Sequence, residues 1–368
     1  MLKPQARRWG FKRITAAVAV LIFAGVGTYL LASSRAATPD TSRQRPGTQD
    51  GRPVPSAGGI KAGTSGNPLL TPLATGLTPY AYLPYGGVSM ADYGERVGTD
   101  QFHAAFILGA GCTPAWDGRT ELGLTSQRGR AVAADIRSVR DRGGDVSVSF
   151  GGESGTELSN SCTDPRALQA AYQSVIDTYE LTHINFDIEY DSESNQAAMA
   201  RRVQAAKDLQ DANPGLLISL TVPVGPQGLV DGGLNTLKRF RDAGVKVSNV
   251  GIMAMIFGQS SGRQSDVIKT AVEGTVRQMQ SMYPGISQQE AHRAVNLIVL
   301  LGDNTGGETF TVADAVTIRQ FIRDKGIGTW GYWSANRDKP CGVDGADLKQ
   351  DTCSGVSQEA GQFGKLLR

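Results

Sequence analysis

Eight short apolar runs alternate with longer amphipathic stretches from residue 79 onwards, and this alternation limits the possible folds more than any other feature of the chain. Each run is nearly continuous in apolar residues, as expected of parallel strands that are covered on both faces. The stretches between them carry helix start and stop signals such as Asp164-Pro165 and Gly326. The runs are residues 80–85, 103–108, 145–150, 183–189, 216–222, 249–255, 295–301 and 327–333.

Eight strand–helix units in this length predict an α/β fold of the (β/α)8 TIM-barrel type, whose usual size is about 250 residues. The crossover between residues 85 and 103 shows no clear helical pattern, so the count is imperfect there. An open doubly wound sheet is the alternative architecture. Such a sheet usually has a glycine-rich phosphate loop after its first strand, and Tyr85-Gly86-Gly87-Val88 does not match that G-x-G-x-x-G pattern. The barrel is therefore favoured.

The N-terminal region has a different composition. Residues 1–13 are basic and residues 14–32 run without a charge, nearly the roughly 20 residues that cross a bilayer as a helix. We expect a basic cytoplasmic segment, then a transmembrane anchor that attaches the protein to the cell membrane. A signal sequence cleaved near Ala32-Ser33-Ser34 is the alternative, and it would give a secreted protein. Residues 33–78, rich in Pro, Gly, Ser and Thr, predict a flexible linker before a barrel domain at 79–368.

Charge and cysteine content exclude several functional classes. The net charge of +2 gives no general electrostatic case for a nucleic-acid partner. The four cysteines form no C-x-x-C pair and the three histidines are far apart, so we predict neither a metal site nor a cofactor. An exported chain can form disulfides. We predict Cys112–Cys162, above adjacent strands at one end of the barrel, and Cys341–Cys353, around a short polar loop.

The fourth run, from His183 to Glu189, breaks the apolar pattern. Side chains alternate between the two faces of a strand, so Asn185, Asp187 and Glu189 share the face that points into the barrel. Inward carboxylates are costly unless paired, and they lie where barrel active sites form. Their mutual repulsion should raise one pKa and leave a general acid. Glu189 lies nearest the mouth of the barrel and has the longer side chain, so it is the candidate proton donor. The alternative is a buried ladder of polar side chains that only supports the structure.

Four segments in chain order resemble glycoside hydrolase family 18, and bacterial chitinases in particular, over about residues 79–368. Asn185-Phe186-Asp187-Ile188-Glu189 is similar to the end of that family's D-x-D-x-E signature on the fourth barrel strand. The other segments are Ser149-Phe150-Gly151-Gly152, similar to its S-x-G-G motif, Met253-Ala254-Met255 and the stretch that begins at Trp333.

The resemblance implies substrate-assisted, retaining hydrolysis of a polysaccharide that contains N-acetylglucosamine, such as chitin or peptidoglycan. Glu189 would protonate the glycosidic oxygen, and the substrate's own 2-acetamido oxygen would be the nucleophile. Asp187 would orient that acetamide and stabilise the positive intermediate. Asn185 stands where the family usually has a deeper aspartate; an amide can hydrogen-bond Asp187 but cannot take up its charge.

Further residues are candidates for substrate binding. Trp333 would form the floor under the reacting sugar, while Ser149, Gly151 and Gly152 would shape the site by close approach of the backbone. Phe257 is a further candidate for a contact with sugar. For Tyr82, Met253 and Met255, packing in the core is the alternative to such a contact.

Several positions depart from the family pattern. Related bacterial chitinases often continue the sixth strand as M-x-M-D-Y-G, whereas Ile256 and Phe257 replace the acid and the phenol here. Thr305 follows Asn304 where such relatives often have N-D, and Tyr190 follows the catalytic glutamate where glycine is common. Three functions remain open. They are a glycosidase whose activity these substitutions would lower, a non-catalytic barrel that binds chitin or peptidoglycan at the cell envelope, and an envelope scaffold.

Overall fold

The computed structural model describes residue 70 and residues 75–84, 87–189, 194–258, 262–304, 307–342 and 352–368. The predicted anchor or signal segment at 14–32 and nearly all of the predicted linker lie outside these ranges. Within them, no helix is long and apolar enough to span a bilayer. The main sheet begins at Gly76, shortly before the predicted start of the domain at residue 79.

One parallel sheet contains all eight predicted strands. Across the sheet the order is β1-β13-β10-β9-β7-β6-β5-β3-β2, with β4 and β8 paired antiparallel to β3 and β7. The strands are β1 (Gly76–Leu77), β2 (Tyr80–Tyr82), β3 (Gln101–Ala110), β4 (Thr113–Trp116), β5 (Asp145–Gly151), β6 (His183–Asp187), β7 (Leu217–Gly225), β8 (Gly228–Leu229), β9 (Val247–Met253), β10 (Val295–Leu300), β11 (Gly302–Asp303), β12 (Thr309–Phe310) and β13 (Thr329–Trp333).

The sheet curls until its first segment meets its last strand. β1 pairs with β13, and β2 pairs with β3 on the opposite side. Between them the amide of Thr78 donates to the carbonyl of Trp330 at 2.7 Å, and Pro79, which has no N–H, accepts from the amide of His103 at 3.0 Å. β1 and β2 are therefore two halves of one barrel strand, and the predicted TIM-barrel-like α/β fold is confirmed.

Helices cover the outside of the sheet between successive strands. They are α1 (Met90–Val97), α2 (Gln127–Asp141), α3 (Leu158–Ser161), α4 (Pro165–Tyr179), α5 (Gln196–Ala212), α6 (Asp231–Asp242), α7 (Gln264–Met282), α8 (Gln288–Ala294), α9 (Val312–Lys325) and α10 (Gln362–Leu367). The first crossover does contain a helix, α1, which the sequence pattern did not indicate. Ser89 caps its start and Gly98, at φ +81°, ends it; two turns are too short to show a clear period.

The interior of the barrel below its mouth is polar, whereas bulky aliphatic side chains usually fill this space. His103 Nδ1 lies 2.5 Å from Ser147 Oγ, and Asn296 Nδ2 donates to His103 Nε2 at 3.3 Å. His183 Nε2 lies 2.8 Å from Ser219 Oγ. Burial lowers the pKa of His103 well below its usual value and that of His183 to about 3. Both imidazoles are thus neutral, and the interior holds hydrogen bonds without charge.

A fully buried ion pair anchors the loop that follows β5. Arg202 Nη2 lies 2.8 Å from Glu157 Oε2, and both side chains are at most 1% exposed. The Tyr172 hydroxyl and the Ser159 amide also donate to the Glu157 carboxylate, at 2.5 and 2.7 Å. Burial opposes ionisation of Glu157, but the charge of Arg202 and these hydrogen bonds leave its pKa lowered.

Both predicted disulfides are present. Cys112, in the turn between β3 and β4, bonds to Cys162 at the end of α3. Cys341 bonds to Cys353. The first bridge joins the β3–β4 hairpin to the loop after β5, and both of these segments border the mouth of the barrel.

Candidate active site

A cleft of about 300 Å³ opens at the C-terminal end of the barrel strands. It brings together Tyr82, Asp187, Glu189, Met253, Met255 and Trp333, all of which the sequence indicated. Side chains that the sequence did not single out complete its wall, among them Tyr80, Phe106, Asp117, Glu153 and Thr221. The last inward-facing residues of neighbouring strands thus line the same cleft.

Gly151 and Gly152 permit the close packing at the end of β5. Gly151 is in register with Asp187, and a Cβ on it would lie 2.0 Å from the Asp187 carbonyl oxygen. A Cβ on Gly152 would lie 2.7 Å from the Phe106 ring. Both glycines have positive φ, +107° and +92°, which side chains disfavour. The close backbone approach expected of these glycines is therefore present, and it sets the position of Asp187.

Asp187 is the more deeply placed of the two carboxyl groups. It is 3% exposed and lies close to the Tyr80 hydroxyl and to the carboxyl of Glu189. Its Oδ1 atom has no hydrogen-bond partner within the described protein. Burial, and next the charge of Glu189, raise the pKa of Asp187 well above its usual value. The pair therefore keeps a proton to a higher pH than an isolated carboxyl would, and the buried member of the pair carries the raised pKa.

Asn185 lies one step deeper and supports the site from below. Its Oδ1 accepts from Ser149 at 2.7 Å and from Tyr80 at 3.3 Å. Its Nδ2 donates to Ser219 at 3.0 Å and to Thr221 at 3.2 Å. These bonds occupy the amide, so it is directed to four other side chains and not to Asp187. Neither Asn185 nor Ser149 is among the residues that line the cleft.

Three aromatic side chains form a surface that we call the aromatic platform: Trp333, Phe106 and Tyr82. The rings of Trp333 and Phe106 stack with centroids 5.3 Å apart and planes 11° apart. The Tyr82 ring lies 5.7 Å from that of Trp333. Such faces suit the apolar faces of sugar rings, as expected for Trp333. Phe106 could not be identified from the sequence, because its inward position depends on a register shift in β3 after Ala104.

The segment after β9 places its two substituted positions differently. Ile256 lines the cleft, is 47% exposed and has φ +52°. Phe257 does not line it, contrary to the expected sugar contact, because the partly buried ring packs against the hydrophobic core. The Phe257 amide donates to Glu308 Oε2 at 3.1 Å. Tyr190 and Thr305 lie outside the described residues. Within the described ranges no group of His, Cys, Asp and Glu is placed to hold a metal ion.

Comparisons with known proteins agree with this geometry. No family model matches the chain. Over 287 residues it is 28% identical to a probable bifunctional chitinase/lysozyme of Escherichia coli (strain K12), which covers 72% of this chain and 31% of the relative. Over 227 residues it is 30% identical to endochitinase 11 of Metarhizium anisopliae, covering 58% and 44%. The chain spans less than half the length of either relative.

The catalytic domain of a hyperthermophilic chitinase from Pyrococcus furiosus has a similar structure, with a TM-score of 0.70, 25% identity, and coverage of 80% of this chain and 95% of that domain. The chain thus contains a chitinase-like domain, as the resemblance to glycoside hydrolase family 18 implied. In the chitinase-like domain, the four motif segments end β5, β6, β9 and β13. Three of them contribute residues to the cleft, and the segment at the end of β5 packs against Asp187 through Gly151.

Proposed function

We propose that the chitinase-like domain hydrolyses β-1,4-linked N-acetylglucosamine polymers, such as chitin, by substrate-assisted retaining catalysis. The observation that carries this proposal is the pair of neighbouring carboxyls, Asp187 and Glu189, in a cleft beside the aromatic platform. The names of the relatives, a chitinase/lysozyme and an endochitinase, support a substrate of this class. A related Pyrococcus furiosus domain has been crystallised with chito-oligosaccharides.

In the first step the proton of the carboxyl pair passes to Glu189 and leaves Asp187 ionised. Glu189 donates this proton to the glycosidic oxygen, and the bond from C1 of the sugar to that oxygen breaks. The carbonyl oxygen of the sugar's acetamido group bonds to C1, and the leaving sugar departs with a new hydroxyl. Asp187 accepts the acetamido N–H and stabilises the positive charge of the cyclic intermediate. The unpartnered Oδ1 of Asp187 supports this role, since a buried acceptor without a partner is costly until a donor arrives.

In the second step water adds to C1 and returns a proton to Glu189, which restores the enzyme. The C1–oxygen bond of the intermediate breaks, and the acetamide reforms with retained configuration at C1. Asn185 cannot take the proton that a deeper carboxylate could share with Asp187. The proton must therefore pass between Asp187 and Glu189 without a third carboxyl. Tyr80 and Asn185, which hydrogen-bond each other, lie beneath the pair.

Sugar binding without hydrolysis is a second candidate. Ile256 lines the cleft where related bacterial chitinases often have an acid, and its side chain cannot hydrogen-bond the acetamido group or the intermediate. Losing one hydrogen bond to a developing charge typically costs about 10²–10³ in rate. We therefore propose slow hydrolysis in the unmodified protein, and binding without hydrolysis if the loss is complete.

Turnover of a chromogenic chito-oligosaccharide tests the proposal, with the Glu189→Gln variant as the control for a contaminating enzyme. Slow release that the variant lacks would support hydrolysis. Calorimetric binding without release would favour the binding barrel, and absence of both would indicate an envelope scaffold. Turnover as fast as that of ordinary chitinases would contradict the proposed low activity.

We also propose that the domain works outside the cytoplasm, in an anchored or a secreted form. Its two disulfides support this, because such bonds form and persist in oxidising compartments. Labelling of surface-exposed residues on intact cells with an impermeant reagent is the test. Protection of the domain in intact cells, and labelling only after lysis, would contradict export.

A further inference from the structure

The cleft is acidic although the protein is not. Lysine and arginine total 37 in the chain against 35 acidic residues. The titratable carboxyls along the cleft are Asp117, Glu153, Asp187 and Glu189, and no lysine, arginine or histidine is among the described residues that line it. The negative charge is thus a local property of this cleft. The proposed hydrolysis uses Asp187 and Glu189 and gives no role to the other two.

The Asp117 carboxylate is fixed at the edge of the aromatic platform. The residue follows β4 with φ +57°, a conformation that aspartate tolerates better than most residues. Its amide donates to the carbonyl of Phe106 at 3.0 Å, and its Oδ1 accepts from the Tyr82 hydroxyl at 3.0 Å. Phe106 and Tyr82 are both members of the platform. A sugar stacked on the platform would therefore present the substituents on its edge to this carboxylate.

Glu153 lies in the loop after β5, and that loop is tied to the hairpin that carries Asp117. The Cys112–Cys162 disulfide joins the two segments, and the Gly109 amide donates to the Thr156 carbonyl at 2.8 Å. Glu153 is exposed whereas Asp117 is partly buried. Water and salt screen an exposed carboxylate more strongly. Asp117 is therefore the stronger candidate for recognising a charged group.

A neutral glycan gains little from a second pair of carboxylates. The acetamido N–H of the reacting sugar already has an acceptor in the buried, unpartnered Oδ1 of Asp187. A glucosamine unit that has lost its acetyl group carries an ammonium ion, which an anionic cleft favours. An ammonium is also a good partner for the face of an aromatic ring. The chemistry of the cleft thus fits a chain that contains both acetylated and deacetylated units.

We infer that Asp117 gives the site a preference for partially deacetylated glycans, by pairing with the ammonium group of a glucosamine unit next to the acetylated sugar that is cleaved. This inference rests on the proposed function and names its substrate class. The acetylated unit must still occupy the reacting position, because only its acetamide can supply the nucleophile.

The test compares kcat/KM for fully acetylated and partially deacetylated oligosaccharides of equal length, in the wild type and in Asp117→Asn. We expect the variant to lower the ratio of deacetylated to acetylated kcat/KM about fivefold, mainly through KM, as for one exposed or partly buried ion pair. The wild-type ratio should also fall in about 0.5 M salt, where the Debye length shrinks to a few ångströms. Asp324→Asn, an exposed aspartate on α9, is the matched control and should leave the ratio unchanged.

Binding distinguishes failure of this inference from failure of the proposed function. In Glu189→Gln protein, calorimetry measures affinity for the same two oligosaccharides without cleavage. If the wild type cleaves neither, hydrolysis is wrong, and the binding ratio alone decides the role of Asp117. An Asp117→Asn variant whose ratio equals that of the wild type, or which weakens both oligosaccharides by the same factor, would overturn the inference.

Discussion

The carboxyl groups of Asp187 and Glu189 lie close together in one cleft, at the C-terminal end of β6. Two neighbouring carboxylates repel each other, and burial of one of them adds to the cost of ionising both. The pair therefore keeps a proton to a higher pH than an isolated carboxyl would, with Asp187 in the buried position and Glu189 at the mouth. The acid that the proposed mechanism requires is stored in this pair.

Removing the proton donor should abolish most of the turnover. Glu189→Gln conserves the volume of the side chain and cannot protonate a glycosidic oxygen, so the rate should fall at least about 10²-fold, the lower end of the range for general acid catalysis. Steady-state hydrolysis of a chito-oligosaccharide measures it, with thermal unfolding to check the fold. Near-full activity in this variant would remove Glu189 from the role.

Asp187→Asn should slow turnover and, at neutral pH, stabilise the fold. A carboxyl whose pKa is raised on folding destabilises the native state above its unfolded pKa, and the cost disappears below that pKa. The variant should therefore melt about 2–4 °C higher near pH 7, the shift that roughly 1 kcal/mol gives in a domain of this size. The difference should vanish below about pH 4. Melting curves of both proteins across this pH range measure the difference in melting temperature. A variant less stable than the wild type at neutral pH would contradict the prediction.

Ile256→Asp should raise turnover at least about tenfold, a part of what one hydrogen bond to a developing charge supplies. A β-branched residue at φ +52° is strained, whereas aspartate and asparagine adopt this region more readily. Ile256→Asn separates the two effects, because it relieves the strain without adding charge. Adding Phe257→Tyr should give no further gain, since that ring packs away from the cleft. An unchanged rate in Ile256→Asp would mean that other groups hold the acetamide.

The buried pair of Glu157 and Arg202 should show strong coupling. Glu157→Gln or Arg202→Met alone leaves one buried charge unpaired and should cost about 3–5 kcal/mol of unfolding free energy. The double variant should lose clearly less than the sum of the single losses. Denaturant unfolding at neutral pH measures all three. Additive losses would show that each side chain acts through packing alone.

The strand pattern and the catalytic pair could be predicted from sequence because both depend on local periodicity. Continuous apolar runs fixed the eight strands, and the period of two on β6 placed Asp187 and Glu189 on one face. The same alternation directs Phe186 outward, where it packs against Phe150 and Phe240. Two neighbouring carboxyls predicted one raised pKa, but burial is its larger cause, and it belongs to the deeper Asp187 and not to the expected donor Glu189.

Other parts of the site depend on contacts between distant segments. Asp117 and Glu153 lie in loops, and only tertiary packing brings them to the cleft. The direction of the Asn185 amide is set by hydrogen bonds from β2, β5 and β7, so its sequence position could not show that it avoids Asp187. Phe257 follows Ile256 directly, yet the turn sends the two side chains to different environments.

Closure of the barrel through the segment at residues 76–82 has a consequence for how the chain folds. Strands such as β5, β6 and β7 pair with neighbours close in sequence, whereas β1 pairs with β13, the last strand of the sheet. That contact carries the largest loop-closure entropy of the pairings in the described sheet. During synthesis the first strand leaves the ribosome long before its partner, and one edge stays open to other chains. A chain that ends before Thr329 would keep unpaired backbone groups on both β1 and β10.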